Sequence, residues 1–190
     1  MMDHYAEFRL LPDTEFSANH LMNALFATLH RTLVELGSTD IGVSFPALGA
    51  QPTGVGERLR LHGSESALRP CIDAGWFKSI RDHASRSEIR PVPENVRHVQ
   101  VRRVQPLGGS DLRRLRRRLM ARSGCSQEQA AQRIPASAAE RLTLPFLSLR
   151  SASTGQMYRL FIEQKSVAQP VGGAFNSYGI SKTATVPYFD

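Results

Sequence analysis

The chain has 190 residues, of which 41% are hydrophobic and 22% charged, as in an ordinary globular protein. The sequence has no apolar run approaching the roughly 20 residues of a membrane span, and we expect no signal peptide at the N-terminus, which has neither a basic nor an apolar region. The formal net charge of +7 favours an anionic partner, which could be a nucleic acid, an anionic membrane or an acidic protein.

The N-terminal half predicts strands and helices in the order β-α-β-β-α-β. Residues 4–10 alternate apolar and polar side chains, as a half-buried strand does. Ser17 can cap a helix whose leucines recur every four residues until Gly37 ends it. The next predicted elements are strands at 41–45 and 57–63, a helical region at 66–83 and a strand at 96–104. This order predicts an α+β fold with a ferredoxin-like domain over 1–106, a common platform for RNA binding.

The C-terminal half predicts a smaller α+β domain over 107–190. It begins with an arginine-rich helix at 110–122. Ser126 and Gln129 then have capping-box spacing at the start of a short helix that ends at Arg133. The remaining predicted elements are a helical stretch at 135–142, strands at 146–150 and 158–162, a loop at 171–173, a strand at 175–180 and a final extended segment at 186–189.

The arginine-rich helix carries the densest charge in the chain. Residues 96–122 contain nine arginines and a single acid, Asp111. Leucines form one stripe of the helix, and arginines at i+4 spacing lie away from it and repel one another. An anionic partner would remove that repulsion. A solvated face paired with distant acids is the alternative, but 17 acids against 24 basic residues favour nucleic acid. A row of arginines along one helix could bind the phosphates at the end of a hairpin RNA.

Candidate catalytic groups are few. His30 lies at the edge of the apolar stripe of the first helix, where it is either a half-buried boundary residue or a general base, a role that suits histidine near neutral pH. No two of the six histidines have metal-ligand spacing. The serine-rich segment 151–156 is either an ordinary turn or a site where hydroxyls and backbone N–H groups hold a phosphate. We expect Cys71 and Cys125 to be free thiols in a reducing cytoplasm.

A series of short segments occurs in an order typical of one family. They are MDHY at 2–5, LMNALFATLHRTL at 21–33, IGVSFPAL at 41–48, GERLRLH at 56–62, RVQ at 103–105, RLRRRLM at 114–120, LPFLSLRSASTGQMYRLFI at 144–162 and YGISK at 178–182. Each segment is weak as a motif, but the joint match is specific. The chain resembles, nearly end to end, the type I-F CRISPR repeat endoribonucleases, the Csy-type processing enzymes.

The resemblance implies a metal-independent ribonuclease without a cofactor. It implies that the protein binds a CRISPR repeat hairpin RNA, cuts it at its 3′ base by attack of a 2′-OH, and stays on the product with other subunits of a type I-F surveillance complex. The family's catalytic histidine falls on His30 and its serine on Ser151, and Tyr178 matches the tyrosine that orients the histidine. The implied RNA-binding residues are Arg103, Gln105, Arg114, Arg117, Arg118, Arg122 and Tyr158.

The sequence also departs from the family. Ala121 and Ser123 stand where the best-known member has an arginine and a histidine, so some phosphate contacts differ. Tyr158 replaces a phenylalanine that stacks under the terminal base pair, and it keeps an aromatic face. Two other functions stay open. One is a hairpin-RNA-binding subunit that does not cleave, and the other is a DNA-binding module, which would need polar base contacts that the arginine-rich helix lacks.

Overall fold

The computed structural model describes residues 2–49, 54–106, 108–135 and 142–190. Within these ranges the chain forms nine strands and four α-helices. The strands are β1 (His4–Leu10), β2 (Gly42–Ser44), β3 (Arg58–Gly63), β4 (Ala84–Arg86), β5 (Arg90–Pro91), β6 (Arg97–Val104), β7 (Phe146–Arg150), β8 (Met157–Val167) and β9 (Val186–Tyr188). The helices are α1 (Ala18–Glu35), α2 (Glu65–Asp73), α3 (Gly109–Ser123) and α4 (Gln127–Arg133). In this part of the chain, none of the helices is long and apolar enough to cross a membrane.

The first sheet is antiparallel and has the strand order β2-β3-β1-β4, with the short β5 also paired to β1. Side chains on its strands alternate between the two faces of the sheet. In β1, for example, Ala6, Phe8 and Leu10 are buried, whereas Arg9 is exposed. With α1 and α2 in the connections between strands, this order is the ferredoxin-like arrangement. The α+β fold class predicted from the sequence is therefore confirmed.

One strand of the ferredoxin-like sheet differs from the prediction. The alternating segment at 96–104 does form a strand, β6, but β6 pairs with β8 and β9 in a second sheet. The fourth strand of the first sheet is β4, which has three residues and pairs with Phe8–Leu10 of β1. Placing 96–104 in the first sheet was thus wrong. Three residues are too few to produce a recognisable alternation, so the longer segment carried the stronger strand signal.

The second sheet is antiparallel, with the order β7-β8-β6-β9, and α1 packs against strands of both sheets. Leu25 of α1 is fully buried, and the Asn23 side chain accepts a hydrogen bond from the backbone N–H of Ser148 in β7 at 2.9 Å. From β8, the Gln164 side chain bonds both the N–H and the carbonyl of Phe45, at 3.0 and 3.2 Å. Buried residues of the two sheets consequently form one hydrophobic core.

The chain divides into two compact units, residues 1–104 together with 144–190, and residues 105–143. The division predicted from the sequence, at residue 106, lies close to the end of the first segment. Residues 144–190 return to the first unit because β8 pairs with β6 and β7 pairs with β8. The arginine-rich segment is thus part of a compact unit of its own, whereas residues 144–190 are not.

The smaller unit contains α3 and α4, which confirm the helices predicted at 110–122 and 126–133. The Asp111 side chain accepts a hydrogen bond from the N–H of Gly108 at 3.1 Å at the start of α3, and Gly124 ends the helix with a φ of +63°. Arg116 Nε donates to the carbonyl of Ile134 at 2.9 Å and joins α3 to the end of α4. The helical stretch predicted at 135–142 falls mainly on residues 136–141, which lie outside the described ranges.

Two other predicted elements differ from the structure. The helical region predicted at 66–83 is α2, which ends at Asp73, followed by a 3₁₀ turn at Trp76–Ser79. The strand predicted at 175–180 is wrong, because this segment is a turn. The Asn176 side chain accepts hydrogen bonds from the N–H groups of Tyr178 at 2.9 Å and Ile180 at 3.4 Å. An asparagine that bonds its own backbone in this way competes with strand pairing.

Candidate functional site

His30 lies near the end of α1 and is half-buried. Its imidazole contacts Ser177 and Tyr178 of the C-terminal segment. Its Nδ1 is 2.8 Å from the carbonyl oxygen of Ser177. A carbonyl oxygen only accepts hydrogen bonds, so Nδ1 carries the hydrogen in this contact. In the neutral ring, Nε2 is then the nitrogen with a free lone pair, which is the state a general base requires.

Tyr178 fixes the plane of the His30 ring. The two rings are stacked, with centroids 3.9 Å apart and planes 10° apart. The Tyr178 ring is also parallel to that of Phe26, one turn earlier on α1, at 6.4 Å and 4°. Together the stack and the Ser177 hydrogen bond restrain both the position and the rotation of the imidazole.

The turn that carries Tyr178 is anchored to the first sheet. The N–H of Val43 in β2 donates to the carbonyl of Gly179 at 2.8 Å, and the N–H of Phe175 donates to the carbonyl of Thr39 at 2.9 Å. Gly179 has a φ of +68°, and a Cβ there would lie 2.6 Å from Cγ1 of Val43. Only glycine suits this position. The close approach of the turn to β2 that Gly179 allows therefore fixes where Tyr178 contacts His30.

Tyr158 of β8 extends the aromatic cluster. Its hydroxyl lies 2.6 Å from the hydroxyl of Tyr178, and the guanidinium carbon of Arg103 lies 6.0 Å from its ring centroid. Burial, together with the hydrogen bond to Tyr178, raises the pKa of Tyr158 to about 12. The Tyr158 hydroxyl is therefore uncharged near neutral pH.

Ser151 begins the connection between β7 and β8. Its N–H donates to the carbonyl of Gln156 at 2.9 Å, and its carbonyl accepts from the N–H of Gly155 at 2.9 Å, which closes the loop tightly. The Ser151 hydroxyl accepts from the N–H of Thr154 at 3.3 Å and lies 3.2 Å from the hydroxyl of Ser153. The loop thus gathers several hydroxyl groups at the end of β7.

These residues line one cavity of about 1010 Å³, called the His30 cavity below. Its lining includes five residues proposed from the sequence, namely His30, Arg103, Ser151, Tyr158 and Tyr178. It also includes residues that the sequence analysis did not single out, namely Arg31, Val34, Glu35 and Arg150. Their adjacency to His30 and Ser151 in the chain is the signal that could have identified them.

The other proposed RNA-binding residues belong to the smaller unit, 105–143. Gln105 is exposed, and Arg114 forms an ion pair with Asp111 one turn earlier. The remaining proposed arginines of α3 are also exposed; they are Arg117, Arg118 and Arg122. The helix therefore presents several guanidinium groups to solvent, as the sequence pattern indicated.

Among the residues that the structure describes, no group of three or more His, Cys, Asp or Glu side chains could hold a metal ion. Cys71 is buried and Cys125 is half-buried, and both are free thiols, as predicted. Burial raises the pKa of the Cys71 thiol to about 11, so it stays protonated in the core.

Comparison with known proteins identifies the family. The model of the CRISPR-associated protein family Cas_Csy4 matches residues 5–189. Two curated relatives, from Escherichia coli (strain UTI89 / UPEC) and Pseudomonas aeruginosa (strain UCBPP-PA14), are both named CRISPR-associated endonuclease Cas6/Csy4. Each is 46% identical over 189 residues, which is 99% of this chain and 100% of the relative. The chain, with both sheets and the arginine-rich helix inside the match, belongs to the Cas_Csy4 family of CRISPR-associated proteins.

Proposed function

We propose that this protein is an endoribonuclease that binds the hairpin of a CRISPR repeat RNA and cuts it at the 3′ base of the stem, without a metal ion. The carrying observation is the geometry of His30, whose Nδ1 is engaged by the Ser177 carbonyl and whose Nε2 is thereby left as the acceptor. The endonuclease names of two relatives that align along their full length support the same reaction class.

In this mechanism RNA supplies its own nucleophile. His30 Nε2 accepts the proton of the 2′-OH that precedes the scissile phosphate, and the 2′-oxygen attacks the phosphorus in line. The bond to the 5′-oxygen of the next nucleotide breaks, and that oxygen takes a proton from water. The products are a 2′,3′-cyclic phosphate and a 5′-OH end. No water molecule has to be activated as a nucleophile, which is the usual task of a hydrolytic metal ion.

The other cavity residues position the reacting groups. Tyr178 holds the imidazole by the stack at 3.9 Å, and Ser151 binds the 2′-OH or the ribose with its hydroxyl. Holding the attacking oxygen in line with the leaving oxygen supplies a large part of the rate enhancement. Arginines near the phosphate offset the negative charge that develops in the transition state.

The hairpin itself is held by two sets of residues. Tyr158 presents an aromatic face on which the terminal base pair stacks, and Arg103 with Gln105 reads base edges in the lower stem. The arginines of α3 bind phosphates, and we propose Arg114, Arg117, Arg118 and Arg122 for this role. These contacts lie on the hairpin side of the scissile bond, so the cut hairpin stays bound and can serve other subunits of a surveillance complex.

The test uses two repeat RNAs that differ at one atom. One is all ribose, and the other has a 2′-deoxy nucleotide immediately 5′ of the scissile phosphate. We expect the pure protein to cut the first RNA in excess chelator and to bind the second with the same affinity without cutting it. Cleavage of the 2′-deoxy RNA, or loss of cleavage in chelator, would mean that metal-activated water attacks. Tight binding of the all-ribose RNA with no cleavage would instead indicate a hairpin-binding subunit that does not cut.

A further inference from the structure

We propose that Arg31 binds the RNA strand that leaves the site, at the phosphate that follows the scissile phosphate on its 3′ side. This inference rests on the proposed function, because it takes His30 as the base at the scissile bond. The leaving strand would occupy the end of the His30 cavity that the hairpin contacts proposed above leave free. The ligand is a single strand of RNA, held through one phosphodiester group.

The cavity extends past His30 along α1. Arg31 follows His30 in the helix, and Val34 lies one helical turn beyond His30 on the same face. Both line the cavity together with Glu35. On the other side of His30, the Tyr178 ring leads to Tyr158 through the hydroxyl contact at 2.6 Å. His30 therefore lies between the surface proposed for the hairpin and the last turn of α1.

A strand cut at the 3′ base of a stem has its continuation on the side away from the stem. If the terminal base pair stacks on Tyr158 and the scissile phosphate lies at His30, the next nucleotide reaches the last turn of α1. The cavity volume of about 1010 Å³ is at the upper end of the ~300–1,000 Å³ usual for ligand pockets, and so offers room beyond the reacting nucleotide. Val34, which is 55% exposed, gives that nucleotide an apolar surface for its base.

Arg31 differs from the other arginines of this cavity in its contacts. Arg150 Nε donates to the carbonyl of Gly155 at 3.0 Å, and the Arg103 guanidinium faces the Tyr158 ring. Arg31 is exposed, and among the described residues it forms no ion pair with a carboxylate. Its planar guanidinium can donate two parallel hydrogen bonds to a phosphate. Its guanidinium donors are thus available to a second phosphate.

The local charge makes Arg31 necessary for such a contact. Glu35 lines the same end of the cavity, and the carbonyl groups at the C-terminus of α1 add partial negative charge. A phosphate would be repelled there unless a cation offset both. Replacing Arg31 should therefore remove an attraction and also leave the repulsion by Glu35 uncompensated.

The experiment measures coupling between Arg31 and one phosphate of the RNA. Two repeat substrates are compared in a single turnover, with protein in excess of RNA but below half-saturation, so that the rate constant reports binding as well as cleavage. The long substrate continues for several nucleotides beyond the cut, and the short substrate ends in one nucleoside after the scissile phosphate, so it lacks the next phosphate. We expect the wild type to cut the long substrate about three- to fivefold faster, the strength of an exposed charge pair. Arg31→Ala should cut both at the rate of the short one.

Three controls make the result specific. Arg31→Lys keeps the charge and should retain part of the difference between substrates. Arg69→Ala removes an exposed helical arginine of α2 that is paired with Glu65, and should behave as the wild type. The affinity of Arg31→Ala for the cut hairpin, which lacks the leaving strand, should also equal that of the wild type.

The outcomes separate this inference from the proposed function. Equal slowing of both substrates by Arg31→Ala, or no change in either, would overturn the assignment of Arg31, because neither result couples the residue to the phosphate. Wild-type protein that cuts the two substrates at equal rates would overturn it as well. Wild-type protein that cuts neither substrate would overturn the proposed function, and with it the reaction on which this inference depends.

Discussion

The ring of Tyr178, rather than its hydroxyl, should be what cleavage requires. Tyr178→Phe keeps the stack on His30, whose centroids are 3.9 Å apart, and removes the hydroxyl contact with Tyr158 at 2.6 Å. A neutral hydrogen bond of this kind contributes about 1 kcal/mol, so the cleavage rate should fall by no more than about fivefold. Tyr178→Ala removes the stack and frees the imidazole to rotate, and misplacement of a catalytic group can cost about 10²-fold.

The assay is single-turnover cleavage at saturating protein, together with urea unfolding of each variant. Tyr178→Ala should lower the free energy of unfolding by about 2 kcal/mol, less than a core aromatic would, because the side chain is half-buried. Rates are therefore compared where every variant is folded. The matched control is Tyr158→Phe, which removes the same hydrogen bond from its other end and keeps an aromatic face for the RNA.

The two phenylalanine variants should show equal and small effects, and the double variant should be no slower than either single one. If Tyr178→Phe is as slow as Tyr178→Ala, the hydroxyl takes part in the reaction and the stacking argument is refuted. A Tyr178→Ala protein with the wild-type rate would show that the Ser177 hydrogen bond alone orients His30.

Three further predictions concern catalysis, RNA affinity and stability. His30→Ala should abolish cleavage and leave the Kd for the hairpin close to the wild-type value in a binding assay, whereas parallel loss of both would contradict its role as the base. Replacing Arg117 and Arg118 with alanine should lower the slope of log Kd against log salt by about one per lost phosphate contact, and an unchanged slope would refute the phosphate contacts. Burial lowers the pKa of His62 to about 3, so between about pH 6.5 and 3 the unfolded chain binds a proton that the folded chain does not. The free energy of unfolding should then fall with decreasing pH by up to ~1.4 kcal/mol per pH unit. His62→Gln should flatten that dependence in urea titrations, and an equally steep profile in the variant would rule His62 out as its source.

Some elements of this fold are visible in the sequence because their signal is local. The alternation at 4–10 predicts β1 with the bounds the structure has, and the leucine spacing after Ser17 predicts α1. The arginine-rich helix follows in the same way from its leucine stripe. In each case the period of the side chains fixes the element without any distant contact. The family resemblance likewise depends on residue order alone.

The tertiary structure decided what depends on distant partners. The sequence could not show that β6 leaves the first sheet, because the alternation at 97–104 is the same whichever strand it pairs with. It also could not show that 175–180 is a turn whose backbone bonds β2. Pairing depends on contacts between residues far apart in the chain, and these are absent from a local pattern.

The candidate site divides along the same line. Sequence resemblance proposed His30, Ser151 and Tyr178, but the donor state of the His30 ring follows from a hydrogen bond to Ser177, 147 residues away. The stack of Tyr178 on His30 and the place of Arg31 in the cavity are likewise results of folding. Residue types determine which chemistry is available, whereas packing of α1 against the C-terminal turn determines which nitrogen of His30 can accept a proton.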